Sequence, residues 1–185
     1  MSTKQTEKME VGVVIPENVK VKLVGRMLHV EGPLGKTHKN FKKIPVDIQI
    51  NNEKIILKAS GERKKYYAIL NTSKSIIKTL CEGVVNGYTI KMKVVYSHFP
   101  ITVKVEGKKV LIENFQGERA YRVSKIWNDT KVTPKGDDVI ITGHVLTDVT
   151  ETAAEIELNS RVKNKDHRVF LDGIYKYSKT VGIEK

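Results

Sequence analysis

A chain of 185 residues has room for one large domain or two small ones, and its 33 Lys and Arg against 21 Asp and Glu leave a formal charge of +12. Such an excess repels itself in the free protein and is drawn to polyanions, so nucleic acid or an anionic membrane surface is the expected partner. No stretch reaches the roughly 18 consecutive apolar residues of a membrane span, and the N-terminus M-S-T-K-Q-T-E-K-M-E has neither a secretion-signal centre nor an arginine-rich import pattern.

Residues 1–10 read as a tail, and a cytosolic site is expected by default. From Val11 the pattern alternates. Val11, Val13 and Ile15 run to Pro16; Val19, Val21 and Leu23 run to a turn at Gly25-Arg26; Leu28 and Val30 run to Gly32-Pro33-Leu34-Gly35. Period-two runs cut by Gly and Pro predict an antiparallel meander with one buried face. Val46, Ile48 and Ile50, the Asn51-Asn52 turn and residues 55–59 continue it. After Gly61 the period changes. Ala68, Ile69, Thr72, Ile76, Ile77, Leu80 and Cys81 fall near helical spacing, which predicts a helix over 62–82 laid on the sheet. Cys81 is the only cysteine, has no second thiol for a disulfide or a structural zinc site, and reads as a small core residue on that helix. The helix opens with Arg63, Lys64 and Lys65, whose charges oppose the helix dipole. An anionic partner would remove that conflict, and solvated lysines are the competing reading. Together these elements make a first module, 11–86.

The grammar then starts again. Ile90, Met92, Val94 and Tyr96 form a strand ending at His98-Phe99-Pro100, and I-T-V-K-V-E-G-K-K-V-L-I-E-N-F-Q-G at 101–117 sets beside V-K-V-K-L-V-G-R-M-L-H-V-E-G-P-L-G at 19–35. Gly107 follows Gly25 by 82 residues. The same interval pairs Val21 with Val103, Leu23 with Val105, Leu28 with Val110, Val30 with Ile112, Glu31 with Glu113, Gly35 with Gly117 and Gly61 with Gly143. A second helix is predicted over 148–162 on Ala153, Ala154, Ile156 and Leu158. V-V-N-G-Y from Val84 matches F-L-D-G-I from Phe170 once four residues are inserted. One interval held through two turns, strands and a helix predicts a duplication. The fold class is therefore α+β: a tandem duplication of a small antiparallel β-sheet module with one helix packed on it, the second copy at 87–185 ending in a basic tail.

Little points to catalysis or to a small ligand. Gly32-Pro33-Leu34-Gly35-Lys36 lacks phosphate-loop spacing and opens no helix; it joins strands where a KH clamp joins helices, so it reads as a hairpin turn. Lys36, His38, Lys39, Lys42 and Lys43 beside it offer cations to RNA backbone or to solvent. His29, His38, His98, His144 and His167 show no metal-ligand spacing, and no metal or cofactor is expected. Asp137-Asp138, after Lys135-Gly136, reads as a turn and not as an acid–base pair. Trp127, close to Arg119, Arg122 and Lys125, reads first as a packed side chain and second as a stacking platform for RNA. Tyr66 and Tyr67 carry the same two readings.

The richest stretch is 161–179. Arg161, Lys163, Lys165, Arg168, Lys176 and Lys179 are cations, Phe170, Leu171 and Ile174 are apolar anchors, and Tyr175 and Tyr177 offer rings with a polar tip. Cations neutralise phosphate and rings stack on exposed bases, a combination that suits structured RNA better than a small molecule. A solvated basic tail is the plainer alternative. The run R-x-F-x-D-G-I-Y from Arg168 to Tyr175, flanked by Lys165 and Lys179, resembles the C-terminal signature of the large-subunit ribosomal protein six family, called protein nine in older eukaryotic naming, in its archaeal and eukaryotic branch. Lys176 stands where that family usually has an aliphatic residue, and Leu158 where it usually has glutamine. I-P-E-N-V at Ile15, G-P-L-G at Gly32 and Y-S-H-F-P-I at Tyr96 are similar to eukaryotic members, which favours that side of the branch.

The resemblance implies the same duplicated layout and a structural, non-enzymatic role in the large subunit of the cytosolic ribosome. It implies contacts to large-subunit rRNA near the sarcin–ricin loop and the translation-factor binding region, with neighbouring large-subunit proteins as further partners. It carries rRNA binding onto Lys163, Lys165, Arg168, Tyr175 and Lys179. Lys176 and Tyr177 join them on charge and aromaticity alone. Arg63, Lys64 and Lys65 join them through the helix-dipole conflict. A free RNA-binding regulator outside the ribosome would share this surface chemistry. An RNA-processing enzyme would need a grouped acid and base that the sequence lacks. Membrane-surface binding is weaker still, since neither helix sets a strongly basic face against a wide apolar one.

Overall fold

A computed structural model describes residues 10–51, 54–59, 61, 63–166 and 168–183. Most of the tail expected at 1–10, the Asn52 half of the Asn51-Asn52 turn, the first residue of the predicted helix and His167 lie outside these residues. The chain divides into two compact units, Met1–Val85 and Asn86–Lys185.

In the first unit β1 (Glu10–Val14), β2 (Lys20–Val24), β3 (Met27–Gly32), β4 (Gly35–Asn40), β5 (Val46–Ile50) and β6 (Lys54–Ala59) precede α1 (Lys64–Asn86). They form two antiparallel sheets of three strands, ordered β2-β3-β4 and β1-β6-β5. Alternation puts Val13 opposite Ile55 and Ile48 opposite Leu57 on one face, where Ile55 and Leu57 are fully buried. α1 covers this core with Leu70, Ser73, Ile77, Cys81 and Val84. That stripe corrects the predicted one: Ala68 and Thr72 are exposed, and the helical arc is centred on the Leu70–Ile77 side. Buried Ser73 donates its hydroxyl to the Ile69 carbonyl at 2.9 Å, so its burial leaves no orphaned polar group.

The second unit holds β7 (Tyr88–Val95), β8 (Thr102–Glu106), β9 (Lys109–Glu113), a short 3-10 turn (Phe115–Gly117), β10 (Arg122–Lys125), β11 (Lys131–Lys135), β12 (Asp138–Gly143), α2 (Leu146–Asn159) and β13 (Gly173–Val181). Its sheets are β10-β9-β8 and β11-β12-β7-β13. α2 buries Val149, Thr152, Ala153 and Ile156 against them, while Leu158, expected inside, is exposed.

The duplication holds in the register itself. Val21 faces Val30 and Val103 faces Ile112, and the two-residue hairpins turn on Gly25 and Gly107, with φ of 61° and 58°. That left-handed backbone is a conformation glycine adopts without a Cβ penalty. Beyond the hairpins the interval drifts. Ile55 and Leu57 of β6 answer to Val139 and Ile141 of β12, because Val13–Ile55 and Met92–Val139 are equivalent pairs. Gly143 is the last residue of β12, whereas Gly61 lies beyond the end of β6, so the 82-residue pairing of these two does not mark one strand position. Each still makes room for the helix that follows, since a Cβ would lie 2.6 Å from the Tyr66 ring at Gly61 and 2.7 Å from Val149 at Gly143.

The basic tail is corrected outright. Residues 173–181 are β13, hydrogen-bonded antiparallel to β7 from Gly173 opposite Val95 to Val181 opposite Tyr88, with a bulge at Tyr177 between Lys176 and Ser178. The resemblance of V-V-N-G-Y to F-L-D-G-I has a physical sense here: the first ends α1 and the second lies in the loop after α2, and each leads through a glycine into a strand, β7 or β13.

Candidate nucleic-acid interface

The frame of the site is the signature itself. Asp172 is buried, and its carboxylate accepts the Ser97 backbone N–H at 2.9 Å and the Gln116 side-chain amide at 3.3 Å. One side chain thus ties the loop before β8, the 3-10 turn and the start of β13. Gly173 follows because the Tyr175 ring lies over it, within 2.8 Å of where a Cβ would stand; the Tyr175 hydroxyl folds back onto the Leu171 carbonyl at 3.2 Å. Ile174 is fully buried, and its N–H is held by the Ser160 hydroxyl at 3.0 Å. Phe170 packs against the core, but Leu171, expected as an anchor, is exposed.

The cations sit on this frame in three ways. Lys163 and Lys165, in the loop after α2, are exposed; the Lys165 ammonium stands 4.7 Å from the centre of the Phe170 ring. Arg168 is exposed but folds onto Asp166 at 2.9 Å, so part of its charge is met locally. On β13, Lys176 shares the side of Met92 and α2 and pairs with Glu157 at 3.1 Å. Tyr175 lies opposite Lys93 on the other face, where Tyr177 reaches Asp138 at 3.4 Å. Lys179 is exposed opposite Ile90 and has no ion pair among the described residues.

Sequence reading missed three participants. Lys93 and Lys135 flank Asp138 in the register, which puts both on the face that carries the two tyrosines. Period-two spacing along their strands was the available signal. In the sequence Arg122 stands out only as a neighbour of Trp127. Its guanidinium lies 4.0 Å over the Phe115 ring, donates to the Asn159 and Arg161 carbonyls at 2.9 and 2.8 Å, and pairs with Glu118 four residues before it. It thereby satisfies the carbonyls left open where α2 ends. The hydrogen bonds that Arg122 donates to the Glu118 carboxylate hold that carboxyl below its ordinary range, and the charges of Arg122, Lys163 and Lys165 add to the effect.

Other candidates resolve as packing. The Trp127 indole donates to Glu155 at 2.9 Å under the Lys125 ammonium at 4.2 Å, leaving a half-buried ring engaged with the protein. The Gly32–Gly35 turn leans on α1: Leu34 N–H meets the Val84 carbonyl at 3.0 Å, and a Cβ on Gly32 would collide with Val84 at 2.7 Å. Burial pushes the Cys81 thiol up to about 11, so it stays protonated at neutral pH. Among the described residues no three His, Cys, Asp or Glu side chains group as metal ligands. Arg63, Lys64 and Lys65 are exposed in the first unit, a patch separate in sequence and unit from the cations of the second.

The fold and the surface define a class: a tandem α+β protein whose charge excess is displayed on two compact modules. The profile described as Ribosomal protein L6 matches residues 99–173. Three archaeal proteins named Large ribosomal subunit protein uL6 are similar along most of the chain. That of Staphylothermus marinus is 43% identical over 167 residues, covering 88% of this chain and 90% of the relative. Those of Methanocella arvoryzae (42% over 168 residues, 90% and 95% covered) and Aeropyrum pernix (39% over 170 residues, 91% and 93% covered) are alike in extent. The chain belongs to the ribosomal protein L6 family, uL6.

Proposed function

We propose that this protein is a structural, non-enzymatic component of the large ribosomal subunit that binds rRNA mainly through its second module. The observation that carries the reading is the region 161–181. Asp172 and Ser160 fix the backbone, and Lys163, Lys165, Lys179 and the rings of Tyr175 and Tyr177 are left exposed upon it. Lysines fixed in place neutralise phosphates and release counterions, and rings beside them give base or ribose a surface. Lys93 and Lys135 extend this surface. The relatives are named as large-subunit proteins, which supports the ribosomal setting. Contact near the sarcin–ricin loop and the translation-factor region, cytosolic ribosomes, neighbouring ribosomal proteins and a working division into 11–86 and 87–185 belong to the same proposal. So does the branch shared by archaea and eukaryotes; the relatives named above are archaeal and support that branch, whereas the eukaryotic side rests on the three similar segments alone.

Charge substitution tests this better than truncation, because cutting at Lys163 would delete a strand of the sheet. Lys163→Glu with Lys165→Glu and Lys179→Glu should leave the fold intact and cut retention on large subunits in a high-salt wash by about tenfold or more. Undiminished retention would remove region 161–181 from the interface, and an unsubstituted protein that washes off would favour a free RNA-binding regulator.

A further inference from the structure

The two modules place their helices alike and charge them oppositely. α1 carries Lys64, Lys65, Lys74 and Lys78 with Glu82 as its one acid, whereas α2 carries Asp148, Glu151, Glu155 and Glu157 and no Lys or Arg. With Leu70, Ser73 and Ile77 turned to the core, helical geometry puts Lys64, Tyr67, Asn71, Lys74 and Lys78 in one lane along the flank that borders this stripe, spaced alternately three and four residues apart. The lane is about 21 Å long at 1.5 Å per residue. Ala68 and Ser75 beside it are exposed and short, so a partner can come close.

Local rules disfavour this arrangement. Lys74 and Lys78 repel each other one turn apart, and none of the four lysines has a carboxylate partner among the described residues. In α2 the acids are mostly engaged within the module: Asp148 accepts from Asn128, Glu155 from Trp127, and Glu157 pairs with Lys176. A cationic lane as long as several nucleotides, whose lysines make no ion pair among the described residues, fits a polyanion of regular spacing. A double-helical RNA offers that: its shallow minor groove, bordered by two rows of phosphates, admits a helix face of short polar side chains flanked by lysines.

Resting on the rRNA-binding reading above, we propose that this flank lane of α1 is a second RNA contact that docks on the backbone of a double-helical rRNA segment, and that the exposed acidic side of α2 touches no RNA. The test uses the full chain and rRNA extracted from purified large subunits, measured by filter binding over a salt series. Lys74→Glu with Lys78→Glu should weaken binding about tenfold near physiological salt and lower the steepness of the log–log salt dependence by about 2. Glu151→Lys on α2 should change neither. A short mixed-sequence RNA duplex should compete for the parent protein and lose that effect with the Lys74/Lys78 variant. Unchanged far-UV circular dichroism secures the fold, since both lysines are exposed. If the Lys74/Lys78 variant binds like the parent while Lys163→Glu with Lys165→Glu does not, the α1 contact is overturned and the second-module interface stands. If the parent itself fails to hold rRNA, both are overturned.

Discussion

Set side by side, the two modules differ most at one strand. In the first, β1 is an edge of the sheet β1-β6-β5; in the second, the equivalent strand β7 is internal, because β13 has been laid along it. The helices tell how. Leu70, Ser73, Ile77 and Cys81 of the first module answer to Val149, Thr152, Ile156 and Ser160 of the second, as the buried positions run in step. Where the first module has a thiol in an apolar core, the second has a hydroxyl that receives the Ile174 N–H and donates to the Glu157 carbonyl. A one-atom difference at the same place prepares the second module to hold one strand more. That strand carries the cations and rings of the candidate interface, so duplication supplied a frame and the added strand supplied a surface.

The largest blow to this asymmetry should come from Asp172→Ala. Removing a buried carboxylate strands the Ser97 N–H and the Gln116 amide, at about 3 kcal/mol. Trp127, the only tryptophan, lies in the second module, so its fluorescence in a urea titration follows that module alone. An unmoved midpoint would show that Asp172 does not secure β13. Ser160→Cys, which installs the first module's residue, should cost about 1 kcal/mol and speed hydrogen exchange at the Ile174 amide; an unaltered exchange rate would show that β13 does not depend on this hydroxyl. Lys176→Ala should be the mildest, below about 1 kcal/mol, because its pair with Glu157 is partly solvated. A larger loss would mean that β13 is held by charge as much as by backbone.

The meander, both helices and the duplication were readable because alternation and helical period survive in residues such as Val21, Leu23, Ile77 and Ile156. β13 was not. Only Ile174 of its early residues points inward as a strong apolar signal, and the bulge at Tyr177 breaks the period that would otherwise have marked a strand. Its lysines then read as a tail. The signature R-x-F-x-D-G-I-Y reads in the sequence as a binding motif, but Asp172, Gly173 and Ile174 organise backbone, and Arg168 is turned toward Asp166. Spacing alone cannot separate a residue that touches a partner from one that aims its neighbour.

The position of β13 in the chain also sets an order of assembly. Residues up to Val85 close a complete unit early in synthesis, whereas β7 waits with one row of amides and carbonyls bare until the last of the described strands has been made. In that interval a nascent second module is a template for any extended chain nearby, including another copy of itself. Lys93, exposed on β7, then does a second service, since its positive charge at the unfinished border repels the same charge on another copy.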